Sequence, residues 1–163
     1  MGRGRTPPSH GSTLRRAGRE DAVAIADLIR SSKGAAMPWL AVPHTLHEDR
    51  HWVATVLLPE HDVWLATAAD RVAGVLALTP GRVEQLYVAT GSQGSGIGRL
   101  LLDHAKRLHP EGLDLWVFQR NARARRFYEA AGFVLVERTD GMTTEEREPD
   151  ARYAWTPPRT PHP

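Results

Sequence analysis

The stretch GSQGSGIGRLLL, residues 91–102, restricts the fold of this chain more than any other. It follows the alternating apolar run VEQLYV (83–88) and leads into an apolar helical pattern with Leu101, Ala105 and Leu108 on one face. A strand must therefore pass into a helix across glycines. Gly94, Gly96 and Gly98 let the backbone turn its N–H groups toward one point, and the helix start adds the positive end of its dipole. That combination suits phosphate or pyrophosphate. A tight packing turn would need one glycine, not alternating ones. Two phosphate loops do not fit. A Walker A loop requires Gly-Lys-Ser/Thr, but Gly96 is followed by Ile97 and Gly98. A dinucleotide fingerprint begun at Gly94 would need Gly or Ala where Arg99 stands.

The elements around this turn form a consistent order. TLRRA (13–17) predicts a short strand, and EDAVAIADLIRSSKG predicts a helix opened by Glu20 and Asp21 and stopped by Gly34. AAMPWLAVP reads as a loop with exposed apolar residues. A second helix begins at a Thr45-x-x-Glu48 capping box and stops at Pro59. The period then changes to two: DVWLATA and RVAGVLALT are strands joined by a tight turn at Ala69-Asp70. After the glycine turn and its helix come the strand LDLWVF, the helix NARARRFYEAAG ending at Gly132, and the strands FVLVERT and ARYAWT. Strand 83–88, helix 97–108 and strand 113–118 make a βαβ crossover, so those strands are expected to be parallel and the rest antiparallel.

Composition narrows the chemistry. A chain of 163 residues fits one domain, expected over 13–156, with a flexible leader 1–12 and tail 157–163. Having no cysteine excludes disulfides, a thiolate nucleophile and Cys-based metal sites, and fits a reducing cytoplasm. No apolar run approaches the ~20 residues of a membrane span. The basic start meets no apolar stretch, so a secretory signal is not expected. A net charge of +2 without long like-charge runs does not point to nucleic acid.

One motif points elsewhere. His47-Glu48-Asp49-Arg50-His51 is H-E-x-x-H, the zinc-protease pattern. Its extended form needs a glycine and a further histidine where Ala54 and Leu57 stand, and Glu60 is too close to be the usual downstream ligand. Glu48 is explained by capping. At ~100° per residue the two histidines lie opposite the stripe Trp52, Val53, Val56 and Leu57. That stripe is expected on the sheet, with the histidines facing solvent or a cleft rim, and no metal is expected.

The segment Gln93-Gly94-Ser95-Gly96-Ile97-Gly98 matches Q/R-x-x-G-x-G/A. With LYV before it, LLL after it, and LWVFQRNARARRFYEAAGF following, it resembles the acyl-CoA loop and next segment of the GNAT superfamily of N-acetyltransferases. The matching core is Val83 to Phe133, and the flanking order fits over 13–156. The resemblance implies an α/β (α+β) fold: a mixed, mostly antiparallel sheet of about six to seven strands, helices on both faces and a central parallel βαβ unit. It implies acetyl transfer from acetyl-CoA to a primary amine of a small molecule or peptide, without a covalent enzyme intermediate or a metal. It also makes a homodimer possible. The alternative is a non-catalytic acyl-CoA-binding or sensor domain.

By the same resemblance Tyr128 is the candidate acid for the departing thiolate, since a phenol with pKa near ~10 stays protonated at neutral pH. Glu84, on the strand before the loop, is the candidate base or water-ordering group. Leu86, Tyr87 and Val88 are expected to hold a bulge that splays the parallel strands and frees backbone groups for pantetheine, with the Val88 N–H as oxyanion donor. Gln93, Gly94, Ser95, Gly96, Ile97, Gly98 and Arg99 form the phosphate loop. Asn121 is a pantetheine partner, a helix N-cap, or both. Arg120, Arg123, Arg125 and Arg126 read chiefly as a solvated helix face and second as a contact for CoA phosphates, through Arg123 or Arg126, or for nucleic acid. The acidic group Glu145, Glu146, Glu148 and Asp150 reads first as a solvated loop and second as an attractor for a cationic amine. Trp39 and Leu40 line a pocket or cover the sheet.

Overall fold

The computed structural model describes residues 11–159 and 161. Residues 1–10 of the expected leader, and 160, 162 and 163 of the expected tail, lie outside the described residues. The strands are β1 (Thr13–Arg16), β2 (Asp62–Ala68), β3 (Arg71–Thr79), β4 (Arg82–Val88), β5 (Leu113–Phe118), β6 (Val134–Arg138) and β7 (Asp150–Trp155). The helices are α1 (Ala22–Ala36), α2 (Leu46–Trp52), α3 (Leu58–Glu60), α4 (Ile97–Leu108) and α5 (Ala122–Ala130).

The strands form one seven-stranded sheet in the order β1-β2-β3-β4-β5-β7-β6. Among the described residues only β4 and β5 are parallel, and α4 crosses between them as the βαβ reading requires. The β2–β3 turn places Ala69 at φ 51° and Asp70 at φ 61°, the left-handed pair of a type I′ hairpin.

β3 is an uninterrupted apolar run because both its faces are covered. Leu76 and Leu78 pack with Leu101, Leu102 and Tyr153 on the α4 side. Val75 and Ala77 pack with Ile25, Val53 and Leu57 on the α1 side. Gly74 lies where α4 leaves no room for a side chain, since a Cβ there would sit 2.8 Å from both Ile97 Cγ2 and Leu101 Cδ1.

Several local expectations are corrected. α1 passes through Gly34 and ends at Ala36, capped by the Met37 N–H donating to the Lys33 carbonyl at 2.8 Å. One interior glycine costs only about 1 kcal/mol, too little to stop a helix packed on a sheet. The second helix does not stop at Pro59: a π-helical segment, Val53–Leu57, links α2 to α3, which contains Pro59. The widened turn opens the ladder just before the proline ring would meet the carbonyl four residues back. Met37 and Leu40 are buried, so the expected exposed loop is folded down. Trp39 stacks edge-on against Phe118 at 5.9 Å beneath Arg120.

Candidate active site

The site begins with a register shift. Ala77 pairs with Gln85 and Leu78 with Val83, so Glu84 is the extra residue of a β-bulge in β4. The bulge therefore precedes the expected Leu86–Val88, because its place is set by where β3 and β4 lose register. Past it, β4 and β5 part: their pairing is confined to Arg82–Asp114 and Val83–Leu115. The bidentate Arg82–Asp114 pair, 2.7 and 2.8 Å, pins the closed end of the wedge.

The open end exposes backbone. The Ala89 N–H donates to the Ala73 carbonyl at 2.8 Å, which makes Gly74–Val88 a non-hydrogen-bonded pair. Val88, and Leu86 two residues earlier, thus turn their N–H and C=O groups away from β3, toward the gap. The Val88 carbonyl accepts from the Ser32 hydroxyl at 2.9 Å. Its N–H is left as a donor beside the cleft.

The gap is a cleft of about 280 Å³, lined among others by Glu84, Leu86, Tyr87, Trp116, Asn121 and Tyr128. Tyr128 is buried, its ring edge-on to Phe127 at 5.2 Å and Phe133 at 5.7 Å. Its hydroxyl makes no hydrogen bond to any described residue. Burial raises the Tyr128 phenol pKa, helped by neighbouring Tyr87. The Tyr87 phenol is pushed up to about 12, by burial first and then by the Glu146 charge. Both phenols are therefore protonated donors at neutral pH. Asn121 caps α5 by accepting from the Ala124 N–H at 3.2 Å, leaving its amide N–H₂ for the cleft. Glu84 is exposed, and its carboxylate accepts from the Thr79 hydroxyl at 2.8 Å.

In the glycine loop Gly94 and Gly96 take φ of +79° and +86°, and an added Cβ at either would meet nothing within 4 Å. Gly96 is the residue from which α4 starts. Ile97 sends its side chain into the core, so only its backbone can serve a ligand. Gln93 accepts from Arg123 at 3.0 Å, the Ser95 hydroxyl turns back to the Ser92 carbonyl, and Arg99 pairs with Asp103 at 3.3 Å. Other arginines of that helix region do structural work. Arg120 pairs with Glu148, and Arg125 donates to the Tyr153 hydroxyl and the Gln119 carbonyl.

A second groove, of about 880 Å³, lies between α1 and α2 and shares Lys33, Met37, Gln85 and Glu146 with the cleft. His47 and His51 are exposed on its wall, where an outward-facing pair belongs. Trp52 lines this groove and is 39% exposed instead of packing on the sheet. The capping box is formed: Thr45 Oγ1 accepts from the Glu48 N–H at 3.1 Å, and Glu48 accepts from the Thr45 N–H at 3.3 Å.

Sequence reasoning missed Ser32, Lys33 and Trp116. Ser32 carried a signal: it continues the Ile25-Leu28-Ile29 stripe by one turn, and a hydroxyl on a buried stripe needs an acceptor. The others become site residues only through the way the strands diverge.

Comparison with known proteins gives a consistent result. The profile of the acetyltransferase (GNAT) domain matches residues 59–135. The peptidyl-lysine N-acetyltransferase YjaB of Salmonella typhimurium is 29% identical over 128 residues, covering 78% of this chain and 86% of that protein. The solution structure of apo YjaB from Escherichia coli superposes with a TM-score of 0.76 at 25% identity, over 90% of this chain and 99% of that one. YncA of Salmonella typhimurium, solved with its cofactor acetyl-CoA, has a TM-score of 0.65 at 20% identity, over 94% and 98% of the two chains.

Proposed function

The chain belongs to the GNAT superfamily of N-acetyltransferases, and from that premise we propose that it transfers acetyl from acetyl-CoA to a primary amine of a small molecule or peptide by direct attack. The naming of its relatives supports a lysyl amine within that class. The observation that carries the reading is the wedge between β4 and β5, where Leu86 and Tyr128, whose hydroxyl has no partner among the described residues, line one cleft and the Val88 backbone is turned away from β3 toward the same gap.

The residues divide the work as follows. The N–H groups of the loop from Gln93 to Arg99, at the start of α4, hold the pyrophosphate. The outward-turned backbone of Leu86 and Val88 pairs with the pantetheine as an added strand, Tyr87 between them lines the cleft, and the Asn121 amide donates to the pantetheine. The Val88 N–H receives the charge that builds on the thioester oxygen as the amine nitrogen bonds to the carbonyl carbon. Glu84, directly or through water, takes the proton that the ammonium sheds, and Tyr128 gives one to the sulfur as the C–S bond breaks. Burial raises the Tyr128 pKa, which keeps the phenol protonated at neutral pH and makes it a weaker acid, so its proton moves only once the C–S bond is largely broken. Residues 13–156 act as one domain, and a cytoplasmic setting is part of the proposal.

Acetyl-CoA, and not a dinucleotide, is expected to raise the melting temperature, and thiol release across an amine panel reports turnover. Tyr128→Phe lowers kcat by about 10²-fold or more while acetyl-CoA still shifts the melting temperature. Equal losses of kcat and binding count against the acid role. Glu84→Gln depresses the rate and changes its pH profile; an unchanged profile removes Glu84 as base. A protein that binds acetyl-CoA but acetylates no amine would be the acyl-CoA sensor instead.

A further inference from the structure

The acidic group before and at the start of β7 is not uniformly solvated. Glu145 pairs with His44 Nε2 at 2.9 Å, Glu148 with Arg120 at 3.1 Å, and the Asp150 carboxylate with the Thr139 hydroxyl. Glu146 differs from these neighbours. It makes no hydrogen bond or ion pair with the described residues, yet it is half-buried and lines both the cleft and the groove at their junction. Its charge reaches the Tyr87 phenol, which places it beside the cleft wall.

The loop that carries Glu146 is held in place. Gln119 Nε2 donates to the Thr139 and Asp150 carbonyls at 3.0 and 2.9 Å. Gly141, at φ +73°, lies so close to its loop neighbours that a Cβ would sit 1.9 Å from the Glu148 carbonyl oxygen. A half-desolvated carboxylate without a partner is unfavourable unless a ligand supplies the counter-charge. The other charged side chain shared by both cavities, Lys33 on α1, makes no ion pair within 4 Å among the described residues.

Building on the acetyltransferase reading, we infer that Glu146 binds the acceptor's ammonium and makes the enzyme selective for alkylammonium groups carried on an apolar arm. Met37, Leu40, Trp52 and Val56 line the groove that leads to Glu146, a surface suited to the methylenes of such an arm. Glu146 holds the cation at the junction. The proton still leaves to Glu84 or its water before the nitrogen attacks, so Glu146 sets acceptor choice and not the chemical step.

Glu146→Gln preserves shape and removes the charge. It is expected to raise KM for an alkylamine or a lysine peptide about tenfold, leaving KM for acetyl-CoA and for an arylamine, uncharged at assay pH, unchanged. Glu146→Asp should recover part of the alkylamine affinity. Wild-type turnover with the same alkylamine KM in Glu146→Gln overturns the role of Glu146 alone. So does an equal rise for the arylamine, which would mark general damage to the groove. No thiol release by the wild type with any amine overturns both this inference and the reading it rests on.

Discussion

Replacing Gly74 by alanine tests the contact that seats the glycine loop on the sheet. The new Cβ would lie 2.8 Å from Ile97 Cγ2 and Leu101 Cδ1, side chains 3% and 0% exposed. Carbon atoms pack best at about 3.5–4.0 Å, so each contact is short by roughly 0.7 Å or more. Overpacking of this kind costs about 1–3 kcal/mol. Alanine also stiffens the unfolded chain, which returns about 0.4–1 kcal/mol, so the net loss is at most about 2.6 kcal/mol. For a chain of this size that is a fall of up to roughly 10 °C in Tm. Because Ile97 is the first residue of α4, relief must come from moving the helix start, and acetyl-CoA binding should weaken with it. The matched control is Gly34→Ala, also in a secondary-structure interior but with nothing within 4 Å of its Cβ. There alanine is expected to stabilise by about 0.5–1 kcal/mol. Thermal unfolding with and without acetyl-CoA reads both effects. Two variants that shift Tm in the same direction, or a Gly74→Ala protein with the full acetyl-CoA shift, would refute the reasoning.

Two further expectations follow from buried polar groups. Ser32→Ala removes the donor to the Val88 carbonyl, costing about 1 kcal/mol of stability; kcat should fall with little change in acetyl-CoA binding, and unchanged kcat would remove Ser32 as a positioning residue. His104 stacks against Trp64 at 4.3 Å, and its buried Nε2 has no hydrogen-bond partner among the described residues. Burial, then Arg107, lower its pKa below the ordinary imidazole value of 6.5, with Asp62 opposing and Arg16 assisting. Folding thus disfavours the charged form: the His104 contribution is fully present above pH 6.5 and is lost as pH falls through the lowered value. His44, raised by Glu48 and Glu145, acts with the opposite sign, losing its contribution as pH rises. The readout is therefore the difference in urea midpoint between wild type and His104→Leu from pH 7.5 to 5.5, expected to move against the wild type on acidification; parallel profiles would sink this assignment.

The legible features were those built from neighbouring residues. Strand alternation, the Thr45–Glu48 box, the Ala69-Asp70 turn, the C′ Gly132 and the glycines before α4 each reflect interactions within a few positions. Linked in order, they were enough for the sheet, the crossover and the family. Element ends were less legible where packing outweighed propensity. Gly34 does not stop α1 and Pro59 does not stop the second helix, because the sheet beneath stabilises those turns by more than one unfavourable residue costs.

The site depended on pairings that no local pattern contains. The bulge belongs to Glu84 because register is a property of two strands. The Val88 carbonyl is engaged by a serine 56 residues away. Glu145 and Glu148 find partners on the loop before α2 and the loop before α5, and this alone separates Glu146 from its neighbours. In the sequence these carboxylates are equivalent. A charge is neutralised by whatever side chain lies within a few ångströms of it, and that distance exists only once the chain has folded.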